Sequence, residues 1–119
     1  MRIGGCLLAT FLLAACGQGA QSDVEAAVEV DDPLECAATI SAYSYLVAEG
    51  YLASDPAIPP SRGLASSMTY LNIYAIPKDL SEAEAFAQAE ARREEIRADA
   101  SADEILEEAR ICVENTPEV

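Results

Sequence analysis

The fold of this chain is decided by residues 32–50, which read DPLECAATISAYSYLVAEG. The stretch opens with a strong helix-start signal. Asp32 can cap a helix, Pro33 suits the first helical position, and Glu35 follows the cap by three residues, as in a capping box. The glycine that ends the stretch is a typical helix stop. The sequence therefore predicts a first helix near residues 33–49.

One face of that predicted helix is apolar. Its larger side chains recur at spacings of four, three and four residues, the period of a helix that packs on one side. The stripe begins with a cysteine in the first turn, which we expect to point inward. Its members are Cys36, Ile40, Tyr43 and Val47.

A second helix is predicted over residues 63–76, where Pro77 ends it. Several β-branched and aromatic residues in the same stretch leave a strand as the alternative. The expected buried stripe consists of Leu64, Met68, Leu71 and Ala75.

Two further capping boxes mark helix starts later in the chain. Ser81 and Glu84 form the first, and Ser101 and Glu104 form the second. The second box predicts a break or kink rather than one long helix over residues 82–112. The fold class that follows is all-α, a small bundle of three to four helices.

The amino terminus has the layout of a secretory signal peptide. A single early charge, Arg2, precedes a mostly apolar run with small residues before the expected cut. The run is too short to cross a hydrocarbon core of about 30 Å as a helix. This layout fits an ordinary secretory signal, in which the cysteine at the end of the run has no special role. A lipoprotein signal is the more specific interpretation. The end of the run resembles, position by position, the lipobox of bacterial lipoproteins: Leu13, Ala14, Ala15 and Cys16.

The resemblance to bacterial lipoproteins implies a cleaved signal peptide over residues 1–15. It also implies a diacylglycerol on the sulfur of Cys16 and an acylated new amino terminus, so the membrane itself would be a partner. Two or more acyl chains hold a protein stably on a bilayer. Gly17 lacks the aspartate signal that typically retains lipoproteins at an inner membrane. The expected location is therefore the periplasmic face of an outer membrane, or the cell exterior in a bacterium with one membrane.

The charge of the chain restricts its partners. Seven Lys and Arg stand against 21 Asp and Glu, a formal net charge of −14 that becomes −15 without Arg2. Binding to nucleic acid or to an anionic lipid surface is disfavoured, because phosphate contacts need Lys and Arg. Residues 16–31 contain four acids and no base, which predicts a flexible tether. Residues 32–119 remain for a single helical domain.

The four cysteines divide by position. Cys6 lies in the predicted signal peptide and Cys16 is the predicted lipid site, which leaves Cys36 and Cys112. An even pair in an oxidising compartment predicts one disulfide. The chain has no Cys-x-x-Cys and no histidine to lower a thiol pKa, so the bridge is expected to be structural.

The absence of histidine also bears on catalysis. It removes the commonest general base, the Ser-His-Asp arrangement and the usual imidazole ligand of zinc. Adjacent carboxylates such as Glu94–Glu95 and Glu107–Glu108 point about 100° apart on a helix and are expected to face solvent. The sequence therefore predicts a protein that is not an enzyme and needs no cofactor or metal beyond its lipid. A small carboxylate-dependent enzyme or metal binder is the remote alternative.

Tyrosines are the residues most suited to recognition in this chain. Tyr43 falls on the apolar stripe and is assigned to the core, whereas Tyr45, Tyr51 and Tyr70 fall off the predicted stripes. Tyrosine combines apolar area with a hydroxyl, so these three form a possible interaction surface. The alternative is that they pack among small residues in a modest core.

These observations favour a non-enzymatic, lipid-anchored module that binds another envelope protein. By size, cysteine count and helical content alone, the chain loosely resembles periplasmic acid-stress chaperones and immunity proteins against secreted effectors. An envelope-stress chaperone or inhibitor is therefore the alternative function. The sequence names neither the partner nor the surface used.

Overall fold

The computed structural model describes residues 32–118, and within them it contains four helices and no strand. The predicted all-α bundle is confirmed, with the helix number at four. The signal peptide and tether predicted for residues 1–31 lie outside the described residues. The helices are α1 (Pro33–Ala48), α2 (Pro60–Ala75), α3 (Glu82–Asp99) and α4 (Ala102–Glu114).

The first helix is the centre of the bundle and packs against each of the other three. The predicted stripe is confirmed for Cys36, Ile40 and Tyr43, which are buried, while Val47 is half-buried. Burial extends well beyond that stripe, because small side chains on the other faces let neighbouring helices approach closely. Besides Pro33 at the helix start, these additional buried residues are Ala37, Ala38, Thr39 and Ala42.

The second helix is present, and its predicted buried face is confirmed in part: Leu71 and Ala75 are buried and Met68 is half-buried. Leu64, expected in the core, is 66 % exposed, whereas Tyr70, assigned to a possible interaction surface with core packing as the alternative, is 0 % exposed.

The inner face of α2 combines the small residues Gly63 and Ser66 with the large side chains of Tyr70 and Leu71. A Cβ on Gly63 would lie 3.4 Å from a methyl group of Ile58 and 3.8 Å from one of Ile40, so the α2 backbone lies close to α1 and the preceding loop.

The third and fourth helices begin where the sequence predicts. At both Ser81 and Ser101 the hydroxyl accepts a backbone N–H, and the glutamate three residues on accepts the backbone N–H of the serine. The predicted break is confirmed, because Ala100 has extended backbone angles between the two helices. Only Ala85 and Ile96 are buried on α3.

The first capping box is only half formed. The Asp32 carboxylate accepts the N–H of Glu35 at 3.2 Å, as predicted. The Glu35 carboxylate, however, binds Arg92 on α3 at 2.7 Å instead of returning to the cap backbone. A residue that the sequence assigns to a local cap thus forms an ion pair between two helices.

The predicted disulfide is present. Cys36 and Cys112 are bonded with a Cα–Cα distance of 5.6 Å, and they lie 76 residues apart in sequence. The bridge ties the first turn of α1 to the last turn of α4. In the chain-entropy model a loop of this length stabilises the fold by about 4.5 kcal/mol. For a domain with a small core, that is a large share of the free energy of unfolding.

Candidate functional site: an acidic groove

A groove of about 410 Å³ lies between α1, α3 and α4. Its floor is formed by Thr39 of α1, Ile96 at the end of α3, Ala100 in the break, and Ile105 of α4. Six carboxylates and one guanidinium, that of Arg92, surround this floor. The carboxylates belong to Glu35, Glu95, Asp99, Glu104, Glu107 and Glu108.

Arg92 neutralises one end of the groove. Its guanidinium donates to Glu35 at 2.7 Å and to Glu95 at 2.8 Å. The hydrogen bond with Glu35, followed by that with Glu95, raises the pKa of Arg92 above its ordinary value. Arg92 therefore stays cationic and holds α3 against the start of α1.

The other end of the groove is not neutralised. Within residues 32–118, no Lys or Arg lies within ion-pair distance of Asp99, Glu104 or Glu108. The Glu104 carboxylate accepts the N–H of Ser101 at 2.8 Å, which fixes it at the α4 start. This end is consequently a negatively charged rim beside an apolar floor.

The adjacent carboxylate pairs singled out in the sequence do not act as pairs of equivalent groups. Glu95 lines the groove, whereas Glu94 binds Arg93 at 3.0 Å. Glu107 and Glu108 both line it, but Glu107 also contacts Arg110 at 3.4 Å. In the part of the chain that the structure describes, no cluster of three or more His, Cys, Asp or Glu is placed to hold a metal ion.

The loop between α1 and α2 is held by a second set of polar contacts. The backbone N–H of Asp55 donates to the hydroxyl of Tyr43 at 2.7 Å, and its carboxylate accepts from Arg110 of α4 at 2.7 Å. The N–H of Ala57 and then the Arg110 guanidinium lower the pKa of the Asp55 carboxyl. Tyr43 is thus a core residue, as predicted, whose hydroxyl also orders the loop.

The three tyrosines of the predicted interaction surface have different environments. Tyr70 is a correction: it is fully buried and donates its hydroxyl to the Cys112 carbonyl at 2.7 Å. Its ring shares the inner face of α2 with small residues, Gly63, Ser66 and Ala75. Tyr45 is 42 % exposed, but its ring lies 4.2 Å from the Arg93 guanidinium. Only Tyr51, at 72 % exposure, is mainly open to solvent.

Sequence reasoning missed the groove because its walls come from three helices. Each carboxylate alone looks like part of a solvated face. A signal did exist in the spacing, since Glu95 and Asp99 on α3, and Glu104 and Glu108 on α4, are four residues apart and share a face. Both pairs flank the break near residue 100, so two acidic faces meet there.

Within residues 32–118, no helix combines the length and apolar character that crossing a bilayer requires. No family model, no curated protein and no solved structure matches this chain.

Proposed function

We propose that this protein is a lipid-anchored envelope lipoprotein and a non-enzymatic interaction module, which holds a basic segment of another envelope protein in the acidic groove. One observation carries the proposal. The groove joins an apolar floor to three carboxylates, Asp99, Glu104 and Glu108, that have no cation partner within residues 32–118. A segment that alternates Lys or Arg with apolar residues satisfies both parts.

The expected binding energy comes from both components. Exposed ion pairs are each worth only about 0–1 kcal/mol, because water and salt screen them. Apolar contact must therefore contribute as well, at about 25 cal/mol per Å² of apolar surface removed from water. It has to come from the lining of the groove as a whole, because Ile96 and Ile105 are themselves only 7 % and 2 % exposed. The charges mainly increase the association rate and select against acidic partners, so binding weakens with salt.

The cellular part of the proposal rests on Leu13-Ala14-Ala15-Cys16, which resembles a lipobox. Acyl chains on Cys16 would confine the bundle to a membrane surface, where its partner would also be an envelope protein. The intact mass of membrane-extracted protein tests this anchor. A chain that starts at Cys16 and carries acyl mass supports it, whereas an unmodified Cys16 contradicts it.

The groove is tested by crosslinking the full-length protein to its neighbours in cells and identifying them by mass spectrometry. The test variant is Asp99→Lys with Glu108→Lys, two exposed groove residues that form no ion pair among residues 32–118. The control is Glu90→Lys with Glu114→Lys, which changes the charge equally at exposed positions outside the groove.

One dominant envelope partner, lost with the groove variant and kept with the control, supports the proposal. Equal loss with both variants would mean that only overall charge matters. No loss with either variant would exclude the groove as the binding site. Equal helix content of the two variants by circular dichroism verifies that the fold is intact.

An acid-stress chaperone is the second candidate, because ion pairs join α1 and the loop after it to α3 and α4. These are Glu35–Arg92, Glu49–Arg97 and Asp55–Arg110. Loss of those contacts in acid would expose core surface. Many weak clients captured only near pH 3, with loss of helix packing, would favour this candidate over a single-partner module.

A further inference from the structure

The buried hydroxyl of Thr39 has no hydrogen-bond partner among residues 32–118. Thr39 and Ser66 are the buried threonine and serine of this part of the chain, at 4 % and 3 % exposure, and the Ser66 hydroxyl bonds that of Thr116. The Thr39 hydroxyl forms no hydrogen bond with any other described residue. Burial of an unpaired hydroxyl is unfavourable, so this group indicates a partner from outside the chain.

The position of Thr39 shows where that partner would bind. A helical threonine can pair its hydroxyl with the carbonyl of the preceding turn. Thr116, just after α4, does so at 3.1 Å with the carbonyl of Cys112. Thr39 forms no such bond with the carbonyl of Glu35, and instead lines the floor of the acidic groove. The partner that can reach its hydroxyl is therefore a ligand in that groove.

The charge around Thr39 favours a cation as this ligand. Glu35, one turn before Thr39 on α1, already has both carboxylate oxygens bonded to Arg92, at 2.7 and 3.2 Å. Asp99 and Glu108 line the same groove and form no ion pair within residues 32–118. A cationic group attracted by these carboxylates carries N–H donors, so the Thr39 hydroxyl acts as the acceptor.

The single oxygen of the Thr39 side chain distinguishes an ammonium from a guanidinium. A guanidinium is a planar fork that fits acceptors with two oxygens, and Arg92 binds Glu35 in that way within this groove. At Thr39 its other N–H groups would face the apolar side chains of Ile96 and Ile105 unpaired. A lysine ammonium is compact and has three diverging N–H groups, so one can bond Thr39 while the other two turn toward carboxylates.

We propose that the groove selects a lysine of the basic segment, with the lysine ammonium hydrogen-bonded to the Thr39 hydroxyl. Lysine selection depends on the proposed function, in which a basic segment occupies the groove, and it adds the identity of the cation and the residue that chooses it. The unbranched stem of lysine also suits the floor, because its methylene groups can lie along apolar side chains while the charged end stays among polar groups. Thr39 is then a specificity residue, whose hydroxyl gains a protein partner only in the complex.

The unpaired state of the hydroxyl is tested by stability. Thr39→Val keeps the branched shape of the side chain and replaces only the hydroxyl, with a methyl group. Because that hydroxyl has no internal hydrogen bond to lose, the urea midpoint of the full-length protein should stay the same or rise. Ser66→Ala is the comparison, because it removes a hydroxyl that is bonded to Thr116, and its midpoint should fall. A fall as large with Thr39→Val would mean that Thr39 is paired within the fold, and would refute the proposal.

Selectivity is tested with two synthetic peptides that alternate leucine with either lysine or arginine and are otherwise identical. Their binding to the full-length protein, extracted from membranes in a neutral detergent, is measured by fluorescence anisotropy. The lysine peptide should bind about tenfold more tightly than the arginine peptide, as expected for one charge-assisted hydrogen bond. Thr39→Val should abolish this preference by weakening the lysine peptide about tenfold, whereas Thr39→Ser, which keeps a hydroxyl, should retain it.

The outcomes separate lysine selection from the groove itself. Equal affinity for both peptides, lost in Asp99→Lys with Glu108→Lys, would refute lysine selection and leave the groove as the binding site. An unchanged preference for lysine in Thr39→Val would show that the hydroxyl binds only water, and would refute the role of Thr39. Binding of neither peptide would contradict the proposed function, and lysine selection with it. Displacement of the lysine peptide by an equal concentration of butylamine would overturn the choice of a protein segment in favour of small amines.

Discussion

The second and third helices are of similar length but are held in place by different forces. α2 has 16 residues, no side-chain cap and five buried residues, whereas α3 has 18 residues, a complete capping box and two buried residues. α3 is also built from Ala, Glu and Arg, which favour helix intrinsically. α2 is therefore maintained by packing against its neighbours, and α3 largely by signals within its own sequence.

Loss of the disulfide should lower the free energy of unfolding most, and it should separate the stability of α3 from that of α2. Cys36→Ser with Cys112→Ser is expected to lower the free energy of unfolding by about 4.5 kcal/mol, because the unfolded chain gains freedom. α3 and α4 should lose protection first, since α3 buries little and the bridge holds the end of α4. Hydrogen exchange read helix by helix measures this order, and earlier loss in α2 would contradict the comparison.

A buried ring on α2 can be compared directly with a half-exposed ring on α3. Tyr70→Ala should cost about 4 kcal/mol, because it leaves a cavity and removes the hydrogen bond to Cys112. Phe86→Ala, at a position that is 39 % exposed, should cost less than about half as much. Urea denaturation of both variants gives the two values, and similar costs would mean that α3 depends on packing as much as α2 does.

At the helix starts we expect the opposite result, a larger loss of stability from a substitution at α3 than from one at α2. Ser81→Ala removes the hydroxyl that accepts the N–H of Glu84, and should destabilise the protein by about 1 kcal/mol. Ser61→Ala, near the uncapped start of α2, provides the control and should change stability by less than about 0.5 kcal/mol. Equal effects of the two substitutions on the urea midpoint would show that α3 gains nothing particular from its cap.

Acid should weaken the bundle through the loop that precedes α2. The pKa of Asp55 is lowered in the folded protein, so its contribution is complete above the ordinary value of 3.8 and is lost as the pH falls further. Asp55→Asn should therefore reduce the difference in urea midpoint between pH 7 and pH 3. The control is Asp79→Asn, at an exposed residue that forms no ion pair with the rest of residues 32–118. An identical pH dependence in both variants would contradict the role of Asp55.

The same contrast explains which sequence predictions succeeded. Local rules located the starts of α3 and α4 because Ser81 and Ser101 act within their own first turns. The pairing of Cys36 with Cys112 followed from elimination among four cysteines. The buried face of α2 was predicted only in part: Leu71 and Ala75 are buried as expected, but Gly63 and Ser66 pack well by being small, a property that hydrophobic periodicity does not register.

The acidic groove is harder to predict from the sequence than any of the four helices. Its residues share no local pattern across the three helices, and only the fold brings Glu35 near Glu95 and Glu108. The i, i+4 spacing on α3 and on α4 predicts two acidic stripes, but not that they converge at Ala100. That convergence depends on the break and on how the two helices dock on α1.

The position of the disulfide also determines how the bundle responds to mechanical tension. Only residues 32–35 and 113–118 lie outside the bridge, so a pull on the two ends of the described chain reaches the covalent bond after few residues have straightened. Those ten residues can extend the molecule by roughly 35 Å at full stretch. The remaining 75 residues between the bridged cysteines stay out of the line of force, so every lining residue of the groove except Glu35 can keep its place under load.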